Sequence, residues 1–265
     1  MNIKQKMLAN TLLTGLGLLA LLLLLLKASA TLKQLSVHVS QGEQLNTHIL
    51  ALRKHEKDFL ARRDLRYQVK FEKEIQATLV NIEQLQSFYQ SLDQHNPQLQ
   101  TLKQRVEQYN QLFTKVIDLS QTLGLDHDSG LHGKLRDTAH QLEQHIVALN
   151  NDTLLAQYLM IRRNEKDFMQ RLDLKYADKL NQQIASFQAH LTAADNAVLT
   201  QFQTQFNLYA STFSELGLDH NQGLLGQLRQ TIKQTETELG QVELNLKRIL
   251  EQRVTDITQQ AIWVF

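Results

Sequence analysis

Apolar side chains recur at spacings of three and four residues along most of this chain, a pattern that restricts it to helices. One such stripe passes through Leu99, Val106 and Phe113. The single proline, Pro97, and the ten glycines are too few for the closely spaced turns of a β-sandwich or barrel. We therefore predict an all-α protein.

Turn residues divide the periodic region into six predicted helices, two of them long. Asn96-Pro97 ends one helix and starts the next, and Gly124 and Gly217 follow apolar stripes where left-handed C-caps occur. Short antiparallel connections favour two stacked four-helix bundles that share the two long helices. The predicted helices span residues 30–92, 98–123, 129–149, 153–193, 196–216 and 222–260.

An apolar segment near the N-terminus predicts a membrane span. Leu8–Leu26 contains no charged residue over 19 positions, near the roughly 20 that cross a bilayer. A cleaved signal peptide is the alternative, because Ala28-Ser29-Ala30 resembles a cleavage site. We predict that residues 1–29 form an N-terminal tail and a first transmembrane helix.

The last five residues, 261–265, are apolar and follow two glutamines, which predicts the start of a second, incomplete span. Two spans would place residues 30–260 on one side of the membrane. Residues 27–260 hold 26 basic and 27 acidic side chains, a net charge of −1. That balance gives no reason to expect nucleic acid or an anionic lipid surface as a partner.

Two sequence blocks occur twice. Arg53–Tyr67 recurs 109 residues later as Arg162–Tyr176, and Leu123–Arg136 recurs 93 residues later as Leu216–Arg229. We interpret both as an internal duplication that gives two similar bundles.

The first block places a glutamate on the core face of a helix. A carboxylate in such a position needs a partner or a shifted pKa. One interpretation is a structural ion-pair layer that fixes bundle register; the other is a pocket in which arginines hold the carboxylate of a ligand. An arginine lies three residues before and another six residues after each glutamate: Arg53 and Arg62 flank Glu56, and Arg162 and Arg171 flank Glu165.

The second block reads Gly-Leu-x-Gly-x-Leu-Arg and ends at Arg136 in one copy and Arg229 in the other. Glycines permit close helix packing, and helix N-termini attract anions. The arginines belong either to an acidic neighbour or to an anion site, with Arg229 the stronger candidate for the latter. No cysteine, metal-binding histidine pair or catalytic triad is present, so we expect no enzyme, metal or cofactor.

The four blocks, in this order, resemble the helical bimodular (HBM) sensor domain of bacterial methyl-accepting chemotaxis receptors and of some sensor histidine kinases. The resemblance covers about residues 30–260. It implies an inner-membrane protein with two stacked periplasmic four-helix bundles, a homodimer, and sites for small organic acids such as tricarboxylic-acid-cycle intermediates or acetate. Residues 1–265 lack the HAMP linker and cytoplasmic signalling part of such receptors.

By position in the motifs, the resemblance implies carboxylate-binding residues. Three alternatives follow for function: the ligand-sensing region of a chemoreceptor, the sensor module of a histidine kinase that docks a periplasmic binding protein, or a structural membrane-anchored bundle. The candidate ligand-binding residues are Arg53, Arg162 and Arg229, with Arg63, Arg163 and Arg136 behind them, and the core ion-pair candidates are Glu56, Glu165, Arg62 and Arg171.

Overall fold

A computed structural model describes the backbone of residues 3–92 and 96–263, with side chains up to residue 260. The described residues form helices and turns with no strand, which confirms the all-α prediction. The helices are α1 (Ile3–Arg62), α2 (Arg66–Ser91), α3 (Pro97–Leu123), α4 (Gly130–Ala148), α5 (Asp152–Arg171), α6 (Leu174–Gln188), α7 (Ala193–Leu216) and α8 (Gly223–Trp263).

The two long helices predicted over 30–92 and 153–193 were wrong, because each is broken inside the first repeated block. Arg63 and Leu172 end their helices in the left-handed conformation, with φ of 51° and 48°. Their backbone N–H groups donate to Phe59 and Phe168, respectively. Neither residue is the glycine that usually marks such a C-cap, so the sequence carried no obvious stop signal.

An aspartate restarts the helix after each break. The Asp64 side chain accepts a hydrogen bond from the backbone N–H of Arg66 at 2.9 Å, and Asp173 accepts one from that of Lys175 at 3.0 Å. A carboxylate in this position satisfies a backbone donor of the new helix. Part of the repeated block therefore builds a helical hairpin.

The break predicted between the helices over 153–193 and 196–216 was also misplaced, since residues 194–196 lie in the first turn of α7. Thr192 is the N-cap, and its hydroxyl and the Asp195 carboxylate form a reciprocal capping box. Other stop signals are confirmed: α3 starts at Pro97, and Gly124 and Gly217 have φ of 111° and 122°.

The chain divides into two units. Unit 1 comprises the described residues up to Leu52 together with 73–106 and those from Gln234 onward. Unit 2 comprises Arg53–Glu72 and Glu107–Lys233. Helices α1, α2, α3 and α8 contribute residues to both units.

Unit 1 includes the apolar part of α1, the one described helix that is long and apolar enough to cross a membrane. Most of its leucines in the apolar segment, such as Leu12 and Leu19, are more than half exposed. Farther along α1, His48 pairs with Glu74 of α2 at 2.8 Å, and Lys103 of α3 pairs with Glu83 of α2 at 2.9 Å. For the predicted second span at 261–265, residues 264–265 and the side chains of 261–263 lie outside the described residues.

Unit 2 contains an antiparallel bundle of α4, α5, α6 and α7, in which α4 contacts α5 and α7, and α6 contacts the same two helices. Helix α4 belongs to the first sequence repeat, whereas α5–α7 belong to the second. This bundle therefore combines one helix of the first repeat with three helices of the second. The last helix of the first repeat packs its apolar face on helices of the second.

Candidate functional site

A cleft in unit 2, with a volume of about 330 Å³, lies between the end of α1 and the start of α8. We call it the α1–α8 cleft. Helix α1 contributes one face through residues at helical spacing, and α8 contributes a facing stripe in the same way. The lining residues are Arg53, Glu56, Lys57 and Leu60 on one side and His220, Leu225, Leu228, Arg229 and Ile232 on the other.

The repeated blocks explain how these residues meet. Residues 53, 56, 57 and 60 occupy the last turns of α1, before the break at Arg63. Leu225, Leu228, Arg229 and Ile232 occupy the first turns of α8. The cleft is therefore formed by the first block of the first repeat and the second block of the second repeat. It contains two predicted ligand-binding residues, Arg53 and Arg229.

Glu56 is mostly buried in this cleft and accepts a short hydrogen bond from the Tyr109 hydroxyl of α3. Burial raises the pKa of the Glu56 carboxyl above its ordinary value. The Tyr109 hydrogen bond and the positive charges of Arg53 and Lys57 act in the opposite direction, but burial dominates. The cleft thus combines three cationic side chains with one carboxyl group that takes up a proton more readily than usual.

Arg229 is held by an uncharged partner. Its guanidinium donates to the Asn221 side-chain oxygen at 2.9 Å. In the first repeat, the equivalent Arg136 pairs instead with the Asp128 carboxylate, which occupies the position of Asn221. Asn221 holds the Arg229 side chain in place but, being uncharged, does not neutralise its positive charge. The Asp128 carboxylate does neutralise the charge of Arg136.

The second copy of the first block forms a closed ion-pair cluster. The Glu165 carboxylate is fully buried and pairs with Arg162 and with Lys166, the latter at 3.5 Å. Burial lowers the pKa of both Arg162 and Lys166. This cluster has the arrangement expected of a structural ion-pair layer, and Arg162 uses its guanidinium within the protein.

The remaining predicted arginines lie away from the α1–α8 cleft. Arg63 is exposed and donates to the Gly124 carbonyl at 3.1 Å, and Arg163 is exposed and lies 3.9 Å from Asp167. Arg136 is also exposed, beside Asp128.

Arg62 and Arg171, predicted in the core, are exposed instead. Each lies one turn after an aspartate on its own helix and over a tyrosine ring, at 5.6 Å for Arg62 on Tyr67 and 5.7 Å for Arg171 on Tyr176. These contacts brace the helical hairpins, because the tyrosine belongs to the next helix.

Sequence reasoning missed Lys57, Tyr109, His220 and Asn221. The available signal was a difference between the repeats: Tyr109 corresponds to Phe202 of the second repeat, and Asn221 corresponds to Asp128 of the first. Counting back 93 residues from Phe202 gives Tyr109, and adding 93 to Asp128 gives Asn221.

A second groove, of about 390 Å³, lies between α5 and α6. Its polar lining consists of Gln157, Gln182, Gln183, Ser186 and a single cation, Lys179. It is therefore less suited to a small acid than the α1–α8 cleft. Among the described residues, no group of three or more His, Cys, Asp or Glu side chains is arranged to hold a metal ion.

No protein-family model matches this chain, and no curated protein matches it. The fold and the cleft are therefore the observations from which function is argued.

Proposed function

We propose that this chain is the ligand-sensing region of a membrane-anchored bacterial receptor of the helical bimodular type, and that it binds a small organic acid in the α1–α8 cleft. The observation that carries the proposal is the convergence of Arg53, Lys57 and Arg229 on one cleft of about 330 Å³. The repeated motifs and the apolar N-terminal segment support the same assignment. By the resemblance, residues 30–260 are periplasmic and the receptor is a homodimer.

Charge supports an acid as the ligand. Arginine binds carboxylates through two parallel hydrogen bonds, and a lysine adds a point charge. Apolar side chains of Leu60, Leu225 and Ile232 complete the lining, which suits the short hydrocarbon backbone of a di- or tricarboxylate. The single acidic residue of the lining, Glu56, has its pKa raised by burial and so opposes an anionic ligand less than an exposed glutamate would.

Helix continuity supports a role in signalling. α1 runs unbroken from Ile3 to Arg62, so a ligand held at its last turns acts on the helix that carries the apolar segment. A ligand shifts a conformational equilibrium only when it binds two packings with different affinity. A ligand that contacts both α1 and α8 binds two packings with different affinity if the two helices shift relative to each other between them.

A docking module that binds a periplasmic protein is the second candidate. Leu159 and Met160 of α5 are about half exposed, at 53% and 47%, and such side chains favour protein contacts. This alternative predicts that small acids neither bind the protein nor raise its Tm.

The test uses the full chain in lipid nanodiscs. Calorimetric titration with succinate, malate, citrate and acetate, and with an uncharged diol as control, should reveal binding of at least one acid. Arg229→Ala should weaken that binding roughly 10- to 100-fold, the usual value of a charged hydrogen bond. Arg136→Ala is the matched control, because Arg136 has the same motif position beside Asp128, and it should change affinity by less than about threefold.

Absence of heat and of any rise in Tm with all four acids at millimolar concentration would exclude an acid from this set as the ligand. Equal losses of acid affinity in Arg229→Ala and Arg136→Ala would show that the acid does not bind in the α1–α8 cleft.

A further inference from the structure

A groove of about 330 Å³ in unit 1 lies between α1 and α8, at the point where the apolar segment of α1 ends. We call it the membrane-end groove. Its apolar lining includes Leu23, Leu24 and Ile257. Its charged lining residues are Lys27 of α1 and Arg253 and Asp256 of α8. The groove therefore combines apolar and charged side chains, as binding of an amphiphile requires.

The apolar segment sets the depth of this groove in a bilayer. Leu8–Leu26 contains 19 residues, about 28 Å of helix, which is close to the roughly 30 Å of a hydrocarbon core. Lys27 is the first charged residue after it. The protein also begins to cover α1 at this level, since Leu19 is 53% exposed and Ala28 only 7%. In a membrane spanned by α1, the charged residues of the groove therefore lie among the phospholipid headgroups.

The three charges of the groove are left to an external partner. Within residues 3–92 and 96–260, whose side chains are described, Lys27, Arg253 and Asp256 form no ion pair. Two cations and one carboxylate match a headgroup that carries one phosphate and one primary ammonium, because each charge then meets an opposite one. A glycerol headgroup offers no cation to Asp256, and the quaternary ammonium of choline has no N–H group to donate.

We propose that the membrane-end groove binds the phosphoethanolamine headgroup of a membrane phospholipid. Lys27 and Arg253 donate to the phosphate oxygens, and the Asp256 carboxylate accepts from the ammonium group. The apolar lining contacts the start of the acyl chains. This inference rests on the membrane anchoring in the proposed function and does not depend on acid binding in the α1–α8 cleft.

The test is lipid retention by the full chain after release from nanodiscs with equal amounts of phosphatidylethanolamine, phosphatidylglycerol and phosphatidylcholine, measured by native mass spectrometry. The wild-type protein should retain phosphatidylethanolamine over each of the others by roughly two- to fivefold, the value of one exposed ion pair. Asp256→Asn should bring phosphatidylethanolamine and phosphatidylcholine to equal retention. Arg253→Ala should lower the retention of all three lipids, since all three carry the phosphate.

Arg248→Ala and Glu251→Gln are the matched controls, because each removes a charge of the same sign from an exposed position of α8 outside the groove. Both should retain lipids like the wild-type protein. Equal retention of the three lipids by the wild type, or a selectivity that Asp256→Asn leaves unchanged, would overturn the proposal. Displacement of the bound lipid by soluble glycerophosphoethanolamine at millimolar concentration would also overturn it, since the occupant would then be a soluble compound.

Carbonate extraction separates this proposal from the proposed membrane anchoring. Arg253→Ala should stay in the membrane fraction like the wild-type protein, because the apolar segment of α1 remains intact. Release of the wild-type protein would overturn both the anchoring and the lipid site. Loss of lipid selectivity in a protein that stays in the membrane would overturn the lipid site alone.

Discussion

At the residue scale, two glutamates with the same sequence surroundings have different environments. Glu56 is bound to a tyrosine hydroxyl in a cleft, and Glu165 is sealed within a cluster with Arg162 and Lys166. The sequence placed both on the core face of a helix and required each to have a partner. It did not identify Tyr109 as a partner of Glu56, because Tyr109 belongs to another helix, whereas Arg162 lies on the same helix as Glu165.

Glu56→Gln should stabilise the protein at neutral and alkaline pH. Folding raises the Glu56 pKa above its ordinary value of 4.5, so its favourable contribution is complete below that pH and is lost as pH rises through the folded pKa. Glutamine keeps an acceptor for Tyr109 without the charge. We expect Tm at pH 8 to rise on the order of 2–4 °C and the gain to vanish toward pH 4.5.

The matched variant in the second repeat, Glu165→Gln, should do the opposite. It leaves Arg162 partly buried without its carboxylate, and breaking a buried pair costs about 3–5 kcal/mol. A thermal melt at pH 7 should show a clear fall in Tm. A higher Tm for Glu165→Gln at pH 7, or a lower Tm for Glu56→Gln at pH 8, would contradict the environments described for the two carboxylates.

At the element scale, helix ends marked by glycine, proline or asparagine were predictable and the others were not. Pro97 and Gly124 bound α3 as expected. The breaks at Arg63 and Leu172 were missed, since a left-handed arginine or leucine is unfavourable in isolation. The following aspartate cap and the arginine–tyrosine contact across the hairpin offset that cost, and only the folded chain brings the latter together.

Asn151→Ala should destabilise α5. The Asn151 side chain accepts hydrogen bonds from the backbone N–H groups of Thr153 and Leu154, at 3.0 and 3.2 Å. Loss of an N-cap costs about 1 kcal/mol, which should appear as a Tm lower by about 2–4 °C. Asn151→Ser keeps a capping oxygen and should melt near the wild-type temperature. A fall of equal size in both variants would mean that Asn151 acts through something other than its cap.

At the scale of the whole molecule, the apolar segment of α1 is its most distinctive surface. Most of its leucines lie exposed around the helix, and only Leu21 and Leu24, toward its C-terminal end, are partly covered. That exposure is the condition expected of a helix whose solvent is lipid.

Leu19→Arg should therefore weaken membrane insertion. Leu19 is 53% exposed near the middle of the apolar segment, and an arginine at the centre of a membrane helix costs about 2.5–3.5 kcal/mol. Carbonate extraction of membranes should release more of this variant than of the wild-type protein. Val37→Arg, an exposed change beyond the apolar segment, should stay membrane-bound like the wild type. Equal release of both variants would show that residues 8–26 do not anchor the chain.

The sequence by itself determined the helical class, the apolar N-terminal segment and the duplication, because each depends on spacing along one stretch of chain. It also singled out Arg53 and Arg229. Only the tertiary structure decided that these arginines share a cleft while Arg162 is closed off by Glu165. The reason is physical: periodicity fixes which face of a helix is buried, but the partner of that face depends on contacts between residues far apart in sequence. Glu56 accepts a hydrogen bond from Tyr109 of α3, whereas Glu165 pairs with Arg162 and Lys166 of its own helix.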